Sequence, residues 1–194
     1  MQRRTVYTRR LSAQGLGGRA YVEDFFPVQA RRTFCWVGTA VLRRDLFDEV
    51  GLFDTTMRFA EDMDMWFRIA LRYPQVGYCR ELAAIWWARE GSLSAVNPKT
   101  PDVMLGFAER YGRLAAQAGP EAVRRCRPLV ARWLATAAWV GLMNGRDDVL
   151  RTIAGQYGDW ISPELRWLCR LLPRTAVRSV AAVKNTLKGL RPRL

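Results

Sequence analysis

The sequence predicts an α/β region followed by an all-α region, with the change near residue 98. Three observations predict it. Between residues 33 and 87, short runs rich in aromatic and β-branched residues surround one clear helical pattern. Prolines then cluster at Asn97-Pro98 and Thr100-Pro101. Beyond them apolar residues recur at helical spacing as far as residue 190.

The elements follow in order. Residues 1–18 are Arg- and Gly-rich and end in Gly15-Leu16-Gly17-Gly18, which reads as a loop. Ala20 to Gln29 reads as a short helix carrying Phe25 and Phe26. Thr33 to Leu42, around Gly38, reads as a buried strand. Arg44 to Val50 reads as a short helix, with Gly51 where a left-handed residue closes it. Ala60 to Arg72 places Met63, Trp66, Phe67 and Ala70 at three- and four-residue spacing, which predicts a helix with one apolar face. Tyr73-Pro74 stops it. Val76 to Cys79 and Leu82 to Trp87 read as strands. After the boundary, helices are expected at 102–118, 120–143, 146–157 and 162–190, with Pro173 kinking or splitting the last. Trp133, Trp139, Trp160 and Trp167 lie among Leu, Val and Ala in these helices and are expected in the core.

Composition narrows the chemistry. With 194 residues and 49% apolar composition, the chain can bury a core. Histidine is absent, so Ser-His-Asp and Cys-His centres and imidazole metal ligands are excluded. A general base must be a carboxylate, a Lys or a Tyr. Cys35, Cys79, Cys126 and Cys169 are far apart and form no CxxC pair, which argues against zinc and for reduced, buried thiols. The N-terminus has no continuous apolar core, so no signal peptide is expected. The longest apolar run, Trp133 to Met143, is far below the ~20 residues a membrane span needs. A cytoplasmic protein, soluble or peripheral at the inner membrane face, is the expectation.

The net charge of +13 is unevenly spread. Residues 1–98 hold 14 basic and 11 acidic side chains, and residues 99–194 hold 17 and 7. Residues 165–194 hold eight basic and no acidic ones. Arg166, Arg170, Arg174 and Arg178 recur every four residues, with Lys184 and Lys188 beyond. A basic amphipathic helix of this kind suits an anionic membrane surface; a solvated basic face is the alternative. No nucleic-acid motif accompanies the charge, which argues against that partner.

Chemistry concentrates at Glu61, Asp62 and Asp64, three carboxylates at the start of the predicted helix. One such residue is routine at the positive end of a helix dipole. Three within four residues repel one another. In a His-free chain, an ionised carboxylate here is a candidate base. Asp64 lies about 200° around the helix from Asp62, at ~100° per residue.

Flanking residues sharpen this. Val41-Leu42-Arg43-Arg44, then Val50-Gly51-Leu52-Phe53-Asp54, then Glu61-Asp62-Met63-Asp64-Met65-Trp66-Phe67-Arg68 resembles the family 2 glycosyltransferases of the GT-A fold. Tyr73-Pro74-Gln75-Val76-Gly77-Tyr78 and Gly91-Ser92-Leu93-Ser94 extend the likeness over residues 20–95. The resemblance implies the C-terminal half of a GT-A-like sheet domain over residues 1–98, with a helical region over 99–194. It implies transfer of a sugar from a nucleotide-diphosphate donor to a saccharide or lipid-linked acceptor with inversion, as in cell-envelope polysaccharide assembly. Asp62 becomes the general base and Glu61 its helper. Asp64, Trp66 and Arg68 fall on the acceptor side, although Trp66 also reads as a core aromatic and Arg68 as a carboxylate-paired Arg. Phe53 and Asp54 pack and cap a turn. Gly38 and Thr39, with Arg89 in the place where many members carry a His, fall on the donor side.

The aspartate-rich DxD element that holds Mn or Mg in the complete family site has no counterpart in residues 1–32, which offer only Glu23-Asp24. No metal is therefore expected in this chain. The expectation is a fragment, a truncated product or one partner of a split enzyme whose separate N-terminal half binds the donor. The competing expectations are a non-catalytic basic helical module that binds anionic membrane or nucleic acid, and an inactive truncated remnant.

Overall fold

The computed structural model describes residues 21–31, 35, 37–57, 59–77 and 100–189. Its fold corrects the α/β expectation: the described residues are 73% helical, and the strands among them form one two-stranded antiparallel ribbon. Strand β1 (Tyr21–Asp24) pairs with β2 (Gln75–Gly77), Tyr21 opposite Gly77 and Val22 opposite Val76, with a bulge between Val22 and Asp24. The fold is mainly all-α, and the partial GT-A-like sheet is not present among these residues.

The reason lies in particular residues. In the run read as a buried strand from Thr33 to Leu42, the described residues 35 and 37–42 hold a 3-10 turn at Val37–Thr39 instead of a strand. Val37 is 52% exposed and Val41 96% exposed. β-Branched residues favour strands only where a neighbouring strand gives them a surface to pack on. Conversely, the start of the predicted Ala20–Gln29 helix is β1, and helix α1 occupies Phe25–Arg31. Asp24 closes that junction, its Oδ1 accepting from the Phe26 N–H at 2.9 Å. The Phe25 N–H donates to the Pro74 carbonyl at 2.7 Å. Leu82 to Trp87 lies outside the described residues.

The remaining helices are α2 (Leu46–Val50), α3 (Glu61–Arg72), α4 (Pro101–Ala118), α5 (Pro120–Met143), α6 (Asp147–Gln156), α7 (Pro163–Leu171) and α8 (Arg174–Gly189). Gly119 and Gly145 separate α4 from α5 and α5 from α6, at φ +105° and +72°, values that favour glycine. Pro163 opens α7 behind Ser162, whose hydroxyl accepts from the Leu165 N–H at 3.3 Å. Pro173 splits α7 from α8, as expected. No helix among the described residues is long and apolar enough to cross a membrane.

The chain divides into two compact units: Met1–Pro98 with Leu114–Leu129, and Lys99–Arg113 with Val130–Leu194. The break at residue 98 is thus one edge of the division, but Leu114–Leu129 belongs with the N-terminal unit. In that unit Phe26 meets Phe25 and Phe67 edge-on, at ring distances of 5.7 and 5.3 Å. All three rings are buried, each worth ~1.5–3 kcal/mol over exposure. In the other unit Phe107 stacks on Tyr111 and meets Trp133 edge-on at 5.2 Å, and Leu134, Leu150 and Ile153 are buried. Trp139 and Trp167 depart from the core expectation, at 61% and 65% exposed.

Candidate functional site

The site is built by α2, the turn after it, and the first two turns of α3. Helix α3 forms because Met63, Trp66, Phe67 and Ala70 give it one apolar stripe. It ends at Tyr73, which precedes Pro74 and adopts an extended conformation, φ −128° and ψ 82°.

Arg68 holds the site together. Its Nε donates to Asp64 Oδ2 at 2.9 Å, one turn back on α3. Its two terminal nitrogens donate to the carbonyls of Val50 and Leu52, the latter at 2.8 Å. Those carbonyls flank Gly51, whose φ of +81° and ψ of 175° suit glycine alone. The guanidinium therefore ties the end of α2 to α3, and Asp64, at 0% exposed, anchors it from inside. Phe53 packs between Phe47 and Trp66, 6.4 Å from each ring. Asp54 caps the next turn, its Oδ1 accepting from the Thr56 N–H and hydroxyl at 3.0 and 2.6 Å.

This placement separates the residues grouped by sequence. Asp64 and Trp66, assigned to acceptor binding, are buried at 0% and 5% exposed and cannot meet a substrate in this conformation. With Arg68 they position the turn. The indole Nε1 of Trp66 has no hydrogen-bond partner among the described residues. Glu61 is exposed and Asp62 half-buried, and Asp62 lies about 200° around α3 from Asp64. Gly38 and Thr39 lie exposed in the 3-10 turn. Arg89 lies outside the described residues.

At Asp62 the backbone is unusual. Ala60, just before α3, is left-handed at φ 60° and ψ 27°, a conformation that costs a non-glycine residue ~1–3 kcal/mol and collects at functional sites. It supplies no side-chain cap. The Met63 N–H instead donates to Asp62 Oδ1 at 2.7 Å. Loss of solvent raises the pKa of the Asp62 carboxyl, the Met63 N–H opposes that rise, and the neighbouring Glu61 charge adds to it.

Sequence reasoning missed two neighbours. Burial pushes the Cys35 thiol up to about 12, and the Asp62 charge pushes in the same direction. Cys35 thus stands near Asp62 as a protonated thiol at neutral pH. The second is a polar cluster on Glu49, whose Oε2 accepts from the Tyr73 hydroxyl at 2.6 Å and from Arg72 Nε at 2.8 Å. The guanidinium groups of Arg43 and Arg72 lie 5.9 Å from the Tyr73 ring centre. Only the Arg43-Arg44 pair in the sequence hinted at it.

A divalent cation does not fit the described residues. No three of their carboxylates and thiols converge as a ligand set, and Asp64 is turned inward to Arg68. Comparison with protein-family models, with curated proteins and with solved structures found no match.

Proposed function

We propose that this chain takes part in inverting glycosyl transfer, with Asp62 as the general base. The acceptor hydroxyl gives its proton to Asp62 as its oxygen attacks the anomeric carbon of a nucleotide-diphosphate sugar. The bond from that carbon to the diphosphate oxygen breaks, and the nucleoside diphosphate leaves with the electron pair. Glu61, exposed beside Asp62, keeps the site anionic and helps raise the basicity of its neighbour. Gly38, Thr39 and Arg89 belong to the donor side on the resemblance alone.

One observation carries the reading: the half-buried Asp62 carboxyl, raised in pKa by desolvation, at a helix start set by a left-handed Ala60. A base works best when its pKa approaches the working pH, and desolvation moves Asp62 that way. Oδ1 accepts from the Met63 N–H at 2.7 Å, which fixes the orientation of the carboxyl.

The test measures nucleoside-diphosphate release from a panel of UDP- and GDP-sugars, with the chain alone and together with a donor-binding protein. Asp62→Asn should cut turnover by ~10²–10⁴ and leave donor affinity unchanged. Full turnover in Asp62→Asn, or a wild-type chain that turns over none of the donors in either arrangement, sinks the reading.

A further inference from the structure

We propose that α7 and the start of α8 form a docking surface for an anionic lipid bilayer. The argument begins with an inversion of the usual pattern. Helix α7 buries Cys169 at 2% exposed, yet leaves Trp167, Leu168 and Leu171 at 65%, 44% and 55% exposed. Trp167 and Leu171 are one turn apart, and Leu168 lies about 60° further around the same side. A soluble helix normally turns such residues inward.

Exposed cations lie on α7 itself and on α8, which follows it in the chain. Arg170 is exposed on α7, and Arg174 and Arg178 are exposed on α8. Arg174 reaches Asp147 Oδ2 at 3.0 Å but keeps 68% of its side chain in solvent. Apart from Asp147, the acidic groups near this surface lie at the start of α7 or before it. Glu164 stands one turn before Leu168, and Asp159 pairs with Arg166 at 3.5 Å. Residues 165–194 themselves contain eight basic residues and no acidic one.

Charge selects the occupant. A second copy would bring arginine against arginine. A nucleic-acid backbone would satisfy the arginines but has no use for Leu168 and Leu171. An anionic bilayer surface uses both: Trp and Leu enter the headgroup region while arginines reach the lipid phosphates. The surface acts independently of chemistry at Asp62.

The experiment is co-sedimentation of the full chain with phosphatidylglycerol–phosphatidylcholine vesicles and with pure phosphatidylcholine vesicles, across a salt series. The expected result is binding to the anionic vesicles that weakens with salt. Trp167→Ser with Leu171→Ser should lower it about tenfold or more. Arg170→Gln with Arg178→Gln should lower it about fivefold per arginine. All four positions are exposed, and matching circular-dichroism melts verify that the variants fold. Equal binding to both vesicle types, unchanged binding by either variant, or no binding by the wild-type chain overturns the proposal. So does duplex-DNA binding or self-association that these variants abolish while vesicles stay unbound.

Discussion

Replacing Arg68 with Met keeps the length of the side chain and removes its charge. Three hydrogen bonds disappear, to Asp64, Val50 and Leu52. The carbonyl losses are modest, because Gly51 and Leu52 are exposed and water can reach the turn. Asp64 is different: its side chain is 0% exposed, so the ionised carboxylate loses its guanidinium in a desolvated setting. Breaking a buried pair from one side costs ~3–5 kcal/mol, and the solvated carbonyls place Arg68→Met at about 3 kcal/mol. Asp64→Asn leaves the guanidinium its carbonyls and should cost about 1–2 kcal/mol. The double variant no longer buries a charge, so it should cost less than the two single losses together, with a coupling of ~1.5–3 kcal/mol. Arg68→Lys keeps the charge but not the fork and should fall between wild type and Arg68→Met. Urea unfolding followed by far-UV circular dichroism measures all four. Additive losses, or an Arg68→Met loss below about 1 kcal/mol, would refute the idea that this pair holds the turn.

Two further outcomes follow from the same region. Because the Asp62 pKa is raised in the fold, its ionised form opposes folding at neutral pH, and that opposition fades as pH falls through the raised pKa toward the ordinary carboxylate range. Asp62→Asn should therefore melt higher than wild type at pH 7, with the gap closing on acidification; a gap that is absent, reversed or independent of pH contradicts the assignment. Gly51→Ala should lose about 1–3 kcal/mol to backbone strain at φ +81°, since the added methyl would sit at an ordinary 3.5 Å from the Arg68 guanidinium; equal melting temperatures would contradict that.

The helices were legible where periodicity was strong. Expected segments 102–118 and 120–143 meet observed helices at Pro101–Ala118 and Pro120–Met143, because Gly119 and Pro120 punctuate a clear repeat. Gly51 was readable as a positive-φ stop because few other residues take that shape. The strands were not readable in this way. Composition cannot say whether a Val- and Trp-containing run will find a partner, so Thr33 to Leu42 looked like a strand while Tyr21–Asp24 looked helical. At the site, helical angle alone separated Asp62 from Asp64. It could not show that Asp64 faces Arg68 or that Cys35 comes near Asp62, since both depend on how the chain turns between elements. The exposure of Trp139 and Trp167 was hidden for the same reason: a Trp in a helix carries no label of which side meets a neighbour.

Ala60, left-handed before α3, offers the helix no side-chain cap, and Asp62 covers the Met63 amide from within the helix. One side chain is thus bound to two duties, closing the end of a coil through Oδ1 and, in the function proposed here, taking up a proton. Serine or asparagine could inherit the first duty and not the second. Substitutions at position 62 therefore divide into those that ruin the fold's entry into α3 and those that leave a sound scaffold with nothing to accept a proton, which makes the second group the natural inert controls for any partner this chain engages.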